Sequence, residues 1–232
     1  MLGEKENAGH IEIDRMSLLP PVVDDARADL ALRELAAAWQ FQLTGEQCSA
    51  LLTYGRLLLQ WNSHINLTGA GSLPVLIAEH FPDSFVLASR LRDNRDITTL
   101  VDVGSGGGLP ALPLALLLER LQVHLVEPIA KKTAFLRTAV RSLGLPDRVR
   151  VAGVRLDAFA QEHPEPFDAA VSRATFHPQD WLSAALPLVR PGGTVFALST
   201  SADLESPAGW LPASAIPYAS RRRWVHEFKR ST

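Results

Sequence analysis

The stretch VDVGSGGGLP, residues 101–110, places Gly104, Gly106 and Gly108 at alternate positions directly after an apolar run. Without side chains at these points, the backbone can turn tightly and approach a ligand. The helix predicted to follow presents free N–H groups. Glu127 stands 23 residues beyond Gly104, at the end of the next apolar run. An acid about 20 residues after such a loop suits ribose hydroxyls, so an adenosine-bearing cofactor is expected. The dinucleotide pattern G-x-G-x-x-G is not met, because Gly108 fills the fifth place and Leu109 the sixth. Pro110 and Pro113 also deprive the helix start of N–H donors that a pyrophosphate would use. No Gly-Lys-Ser/Thr follows, which excludes a triphosphate loop. The remaining reading is S-adenosyl-L-methionine, with Gly104, Gly106, Gly108 and Glu127 as its binding residues.

Other residues able to do chemistry lie after later apolar runs. Asp157 follows the third and Arg173 the fourth, so both are predicted at the same sheet edge as Gly104 and Glu127. Arg173 is permanently cationic; it can hold a carboxylate or phosphate but cannot act as a base. His80 and Asp83, three apart in a helical pattern, are candidates for the mouth of the site. Lys131 and Lys132 fall in a predicted first helical turn, where the helix dipole disfavours cations. That placement suits either an anionic neighbour or a solvated face. Arg221, Arg222 and Arg223, with Lys229 and Arg230, form the clearest basic cluster, suited to phosphates or to guarding an edge strand. The single cysteine, Cys48, lies far from this edge, and no histidine spacing suits a metal.

The elements that must position these residues can be read from periodicity. Residues 1–23 lack a pattern and form an expected leader. Residues 24–40 are rich in Ala and Leu and predict a helix. Thr44 and Gln47 form a capping box for the next helix, whose stripe runs Leu51, Tyr54, Leu58, Trp61, Ile65. A further helical region covers 72–92, interrupted at Pro82. Then TTLVDVG, VHLVEP, RVRVAG, FDAAVS and GGTVFALS alternate with helix-length segments, which implies a parallel sheet with crossover helices. IPYASRRRWVHEFKR supplies one or two final strands. The fold class is α/β: a doubly wound, Rossmann-like sheet at residues 96–232, preceded by a helical annex at 24–95.

The chain has 232 residues, 47% of them hydrophobic, with a net charge of -2. It can bury a sizeable core and is no blanket nucleic-acid binder. With one cysteine and no apolar run of the ~18 residues a membrane span needs, a cytoplasmic protein without membrane attachment is expected.

Several motifs together resemble the RsmG (glucose-inhibited division protein B) family, which methylates guanine N7 in 16S ribosomal RNA. They are WNSHINLT (61–68), HFPDS (80–84), VDVGSGGGLPALPLA, the Lys131-Lys132 pair before AFL, and Ser172-Arg173-Ala174. The resemblance spans about Leu51 to Leu198 and implies a class I methyltransferase fold. It implies that Gly104 and Leu109 touch the cofactor, that Leu156 and Asp157 lie beside adenine, and that Arg173 lines the cofactor or target pocket. His80, Asp83, Lys131 and Lys132 become candidates for contact with 16S rRNA or the small subunit, with a monomer expected. Guanine N7 carries an exposed lone pair and needs no base, which matches the lack of a visible one; Arg173 is the one catalytic candidate. The chain departs from the family at Ser199-Thr200, where Lys-Gly is usual, and at Pro82, where an aliphatic residue is usual. A non-catalytic RNA-binding module of this fold, a methyltransferase with another substrate, and a nicotinamide enzyme are the alternatives.

Overall fold

The computed structural model describes residues 23–164, 166–219 and 223–232. The expected leader, up to residue 22, and Arg221 and Arg222 of the basic cluster lie outside the described residues. Four helices come first: α1 (Val23–Ala38), α2 (Gly45–Asn62), α3 (Leu73–Glu79) and α4 (Phe81–Asp93). The capping box forms as read: Thr44 Oγ1 accepts from the Gln47 N–H at 3.1 Å, and Gln47 Oε1 accepts from the Thr44 N–H at 3.2 Å. Such a cap contributes about 1 kcal/mol. The α2 stripe buries Leu51, Tyr54 and Leu58, while Trp61 packs edge-on against Phe135. The helical region around 72–92 does break. The break falls at His80, because Pro82 enters the first turn of α4 and cannot donate back into α3. His80 and Asp83 therefore do not share one continuous helix.

Next come β1 (Thr99–Val103), α5 (Ala111–Leu117), β2 (Gln122–Val126), α6 (Ala130–Ser142), β3 (Val149–Ala152), α7 (Leu156–Glu162), β4 (Phe167–Ser172), α8 (Pro178–Ala185), β5 (Val189–Ser199), β6 (Trp210–Tyr218) and β7 (Arg223–Arg230). The sheet order is β3-β2-β1-β4-β5-β7-β6. β1 to β5 run parallel; β7 is antiparallel to both β5 and β6. The basic strand β7 is thus internal, not the charged edge strand that one reading of the sequence expected. The edge is β6, whose Pro212 and Pro217 are tolerated there because an edge strand can forgo donors.

Apolar layers cover both faces of the sheet. One joins α1–α6 to it through Leu32, Leu58, Phe81, Phe85, Leu112 and Phe135. The other sets α7 and α8 against it through Val103, Phe159, Trp181 and Val195. The first layer is continuous from α1 to the sheet, so the N-terminal helices share their core with α5 and α6.

At the amino end of the sheet, Asp168 fastens three strands. Its Oδ2 accepts from the Thr98 and Thr99 N–H groups and hydroxyls at 2.9–3.0 Å, and its Oδ1 from Arg190 Nε at 2.6 Å. Burial opposes its charge, but Arg190 and these donors hold the carboxyl well below the usual carboxylate range. The opposite, carboxyl edge is left for a site. Strand order reverses between β1 and β4, and ligands bind outside such a switch point.

Candidate active site

The loop after β1 is shaped from three sides. Gly104 has φ +74, and a Cβ there would lie 2.0 Å from Thr175 Oγ1, so the loop after β4 presses directly on its backbone. From behind, the buried Tyr54 hydroxyl donates to the Gly107 carbonyl at 2.7 Å. A Cβ on Gly107 would meet Leu58 and the Leu67 carbonyl at 2.9 and 3.1 Å. Asn62 folds the segment that carries Leu67, its Oδ1 accepting from the Leu67 and Thr68 N–H groups at 2.8 and 3.0 Å. The WNSHINLT motif is therefore a brace for the glycine loop.

Glu127 closes the third side. Its Oε2 accepts from the Gly106 N–H and its Oε1 from the Ile129 N–H, both at 2.9 Å. Each oxygen keeps a second lone pair, so the carboxylate can still accept from a ligand hydroxyl. Beneath the loop lies Asp102, wholly buried, its carboxyl oxygens without a hydrogen-bond partner among the described residues; the neighbouring Ser105 hydroxyl donates instead to the Asp102 carbonyl at 2.8 Å. Burial pushes its pKa up to about 8. A buried carboxyl without a partner is costly unless it is neutral or meets a cation.

Two cavities flank the end of β4. The first, about 520 Å³, is lined by Gly104, Val126, Leu156, Asp157, Thr175 and Phe176 among others. The second, about 470 Å³, is lined by His80, Arg173, His177, Leu198, Tyr218 and Arg223 among others. Ala174 separates them in a left-handed conformation, φ +57. For a residue with a Cβ this is strained, and such strain clusters at functional sites. It sends Thr175 onto Gly104 and Arg173 into the second cavity.

Arg173 is held there firmly. Its Nη1 donates to Asp83 Oδ2 at 2.9 Å and to His80 Nδ1 at 3.1 Å. A guanidinium only donates, so His80 Nδ1 is the acceptor and Nε2 bears the proton, 3.4 Å from Thr68 Oγ1. Burial and the Arg173 charge lower the His80 pKa, keeping the ring neutral. Asp83 Oδ1 accepts from Tyr218 Oη at 2.8 Å and Arg223 Nη1 at 3.2 Å; Arg223 also donates to the Glu79 carbonyl.

The structure thus brings Gly104, Leu156 and Asp157 to one cavity and His80, Asp83 and Arg173 to the other. Gly106 and Gly108, both at positive φ, shape the loop, while the Leu109 side chain is buried in the core. Lys131 and Lys132 sit on the first turn of α6, line neither cavity, and make no ion pair among the described residues. Of the basic cluster, Lys229 donates to Thr194 Oγ1 at 2.6 Å and Arg230 to the Val189 carbonyl, so both serve the sheet. Sequence reasoning missed Asp102, Thr175 and Tyr218. Only Asp102 left a signal, as a charge inside an apolar strand.

This sheet, with its glycine loop after β1 and antiparallel β7 beside β5, is the class I methyltransferase fold. It resembles a MtNAS mutant solved in complex with S-adenosylmethionine, at TM-score 0.55 and 14% identity, covering 90% of this chain and 81% of that one. A Klebsiella pneumoniae protein described as an O-methyltransferase matches at TM-score 0.58 and 12% identity, covering 90% of this chain and 100% of that one. The family model for rRNA small subunit methyltransferase G (GidB) matches residues 47–207, and the chain belongs to that family. Similar proteins named ribosomal RNA small subunit methyltransferase G occur in several bacteria. That of Desulfitobacterium hafniense is 35% identical over 69% of this chain and 66% of its own length. That of Burkholderia ambifaria is 37% identical over 77% and 78%. That of an Anaeromyxobacter species is 34% identical over 87% and 92%.

Proposed function

We propose that this chain transfers a methyl group from S-adenosyl-L-methionine to guanine N7 in 16S ribosomal RNA. The observation that carries this reading is the unpartnered carboxyl of Asp102 beneath a glycine loop, in a chain of this family. When bound, the cofactor supplies an electrophilic methyl on a sulfonium. It also brings an ammonium, ribose hydroxyls and an adenine that need partners. The residues fit: Asp102 is a buried carboxyl with no ion pair among the described residues, Glu127 retains acceptor capacity, and Leu156 and Asp157 line the first cavity where adenine would lie. Gly104 and Leu109 supply backbone at the loop.

The rest of the chemistry asks little of side chains. The N7 lone pair attacks without prior loss of a proton, so no general base is needed. What the chain contributes is alignment and exclusion of water. In this reading residues 24–95 hold the loop and Arg173 in place, through Tyr54, Asn62 and Asp83. Lys131 and Lys132 face RNA phosphates. The chain works as a monomer in the cytoplasm, where ribosomal subunits are made.

The test is transfer of labelled methyl to small subunits from cells lacking the gene, with N7-methylguanine mapped in the 16S rRNA. One methylated guanine is expected. No methyl in the RNA despite cofactor binding would overturn the rRNA assignment.

A further inference from the structure

The glycine-loop cavity accounts for the cofactor, but the second cavity at the same sheet edge has its own built interior. Its central feature is Asp83, whose side chain is 4% exposed and which accepts from three groups on three elements. Tyr218 closes β6, Arg223 opens β7, and Arg173 follows β4. Three donors already converge on Asp83, which also lines the cavity, so it is engaged in holding its neighbours. Arg173 differs: both of its bonds, to Asp83 and His80, use Nη1. Its Nε and Nη2 donors have no partner among the described residues, and Arg173 lines the cavity. A guanidinium oriented by a buried carboxylate, with donors left over, is built to receive an acceptor.

We propose that the cavity between His80, Arg173, His177, Leu198 and Tyr218 takes the target base flipped out of RNA. Arg173 donates there to the 6-oxo group, which selects guanine over adenine, and Asp83 is the positioning residue that aims it. The inference rests on the proposed N7 transfer. An arginine reading guanine ordinarily bonds O6 and N7 together. Here N7 must keep its lone pair for attack, so the contact is confined to O6. Adenine presents an amino donor at the same position, and a guanidinium cannot accept from it. The opposing charges of Asp83 and Glu79 also matter: together they balance Arg173 and Arg223, so the base, which gains positive charge as N7 is methylated, does not face an uncompensated cation. Flipped bases are commonly bounded by apolar or aromatic side chains, and Leu198, Pro178 and His177 supply such walls.

The test uses the full chain loaded with S-adenosylhomocysteine, titrated with guanosine, inosine, adenosine and 2-aminopurine ribonucleoside and followed by NMR shifts. Guanosine and inosine carry the 6-oxo group; the other two lack it. The expected result is at least about tenfold tighter binding of the first pair, as for loss of a charged hydrogen bond. Arg173→Met, titrated at S-adenosylhomocysteine concentrations that calorimetry shows to load it, abolishes that ratio. Asp83→Asn, or the milder Tyr218→Phe, shrinks the ratio, whereas a merely structural role would weaken all four nucleosides alike. Equal binding of the four, binding of none, or a ratio that survives Arg173→Met would overturn the proposal. If wild-type chain methylates rRNA but does not discriminate, this inference alone fails. If it discriminates but methylates no rRNA, the functional reading fails and the base pocket stands.

Discussion

Tyr54, in the middle of α2, donates its buried hydroxyl to the carbonyl of Gly107, 53 residues further along the chain, at 2.7 Å. A helix outside the sheet thus fixes the position of the glycine loop. Tyr54→Phe keeps the ring and its stacking on Phe81 but leaves that carbonyl without its donor. A stability loss of about 1–3 kcal/mol is expected, with weaker cofactor binding. Thermal melts with and without S-adenosylhomocysteine check it; unchanged binding would separate α2 from the loop.

Gly104 admits no side chain. Gly104→Ala adds left-handed strain and drives a methyl onto Thr175 Oγ1, 2.0 Å away in the ideal geometry. Cofactor affinity is expected to fall at least about tenfold, since loop and Thr175 must move apart. Calorimetric titration measures it. Retained affinity would place the cofactor elsewhere.

Asp102 makes stability depend on pH. Its carboxyl is raised from 3.8 to about 8 in the folded chain by burial. Between those values only the folded state holds the proton, so the contribution to stability declines as pH rises and is lost by about pH 8. Wild-type melting temperature should fall between about pH 5 and pH 9, and Asp102→Asn should flatten that slope. The same variant should bind cofactor more weakly, because an amide cannot ionise beside an ammonium as the carboxyl can. Parallel pH profiles of the two proteins would sink the assignment.

Cys48 lines neither cavity at the carboxyl edge of the sheet. It is buried in α2, its Sγ–H directed at Asp29 Oδ1 at 2.8 Å. Burial and that aspartate push its pKa up to about 11, far from a reactive thiolate. Cys48→Ser should keep methyl transfer within about twofold of wild type. A hundredfold loss would restore a cysteine nucleophile.

Much of this protein is legible in its residues alone. The alternation of apolar runs and helices dictates a parallel sheet, because parallel neighbours need long crossovers. The glycine spacing, with Glu127 at the next strand end, points to an adenosine-bearing ligand, and the prolines after it argue against pyrophosphate. The Thr44–Gln47 cap was also plain, since its partners are three residues apart. Such features are local, and their physics acts along the chain.

What only the tertiary structure decided lies between distant segments. In the sequence Tyr54 belongs to the apolar stripe of α2, and spacing gives no hint that it meets Gly107. Arg223 looked like part of a phosphate-seeking cluster, yet 140 positions separate it from Asp83, which it pairs with inside the second cavity. Strand β7 looked like an edge because its charges suit one; pairing with both β5 and β6 makes it internal. Asp102 read as one polar residue in a strand, and its isolation became visible only when every neighbouring donor was in place. Hydrogen bonds and desolvation act over a few ångströms in space and are blind to separation in sequence. The loop therefore announces itself in the sequence, while the groups that aim it and face it belong to the fold.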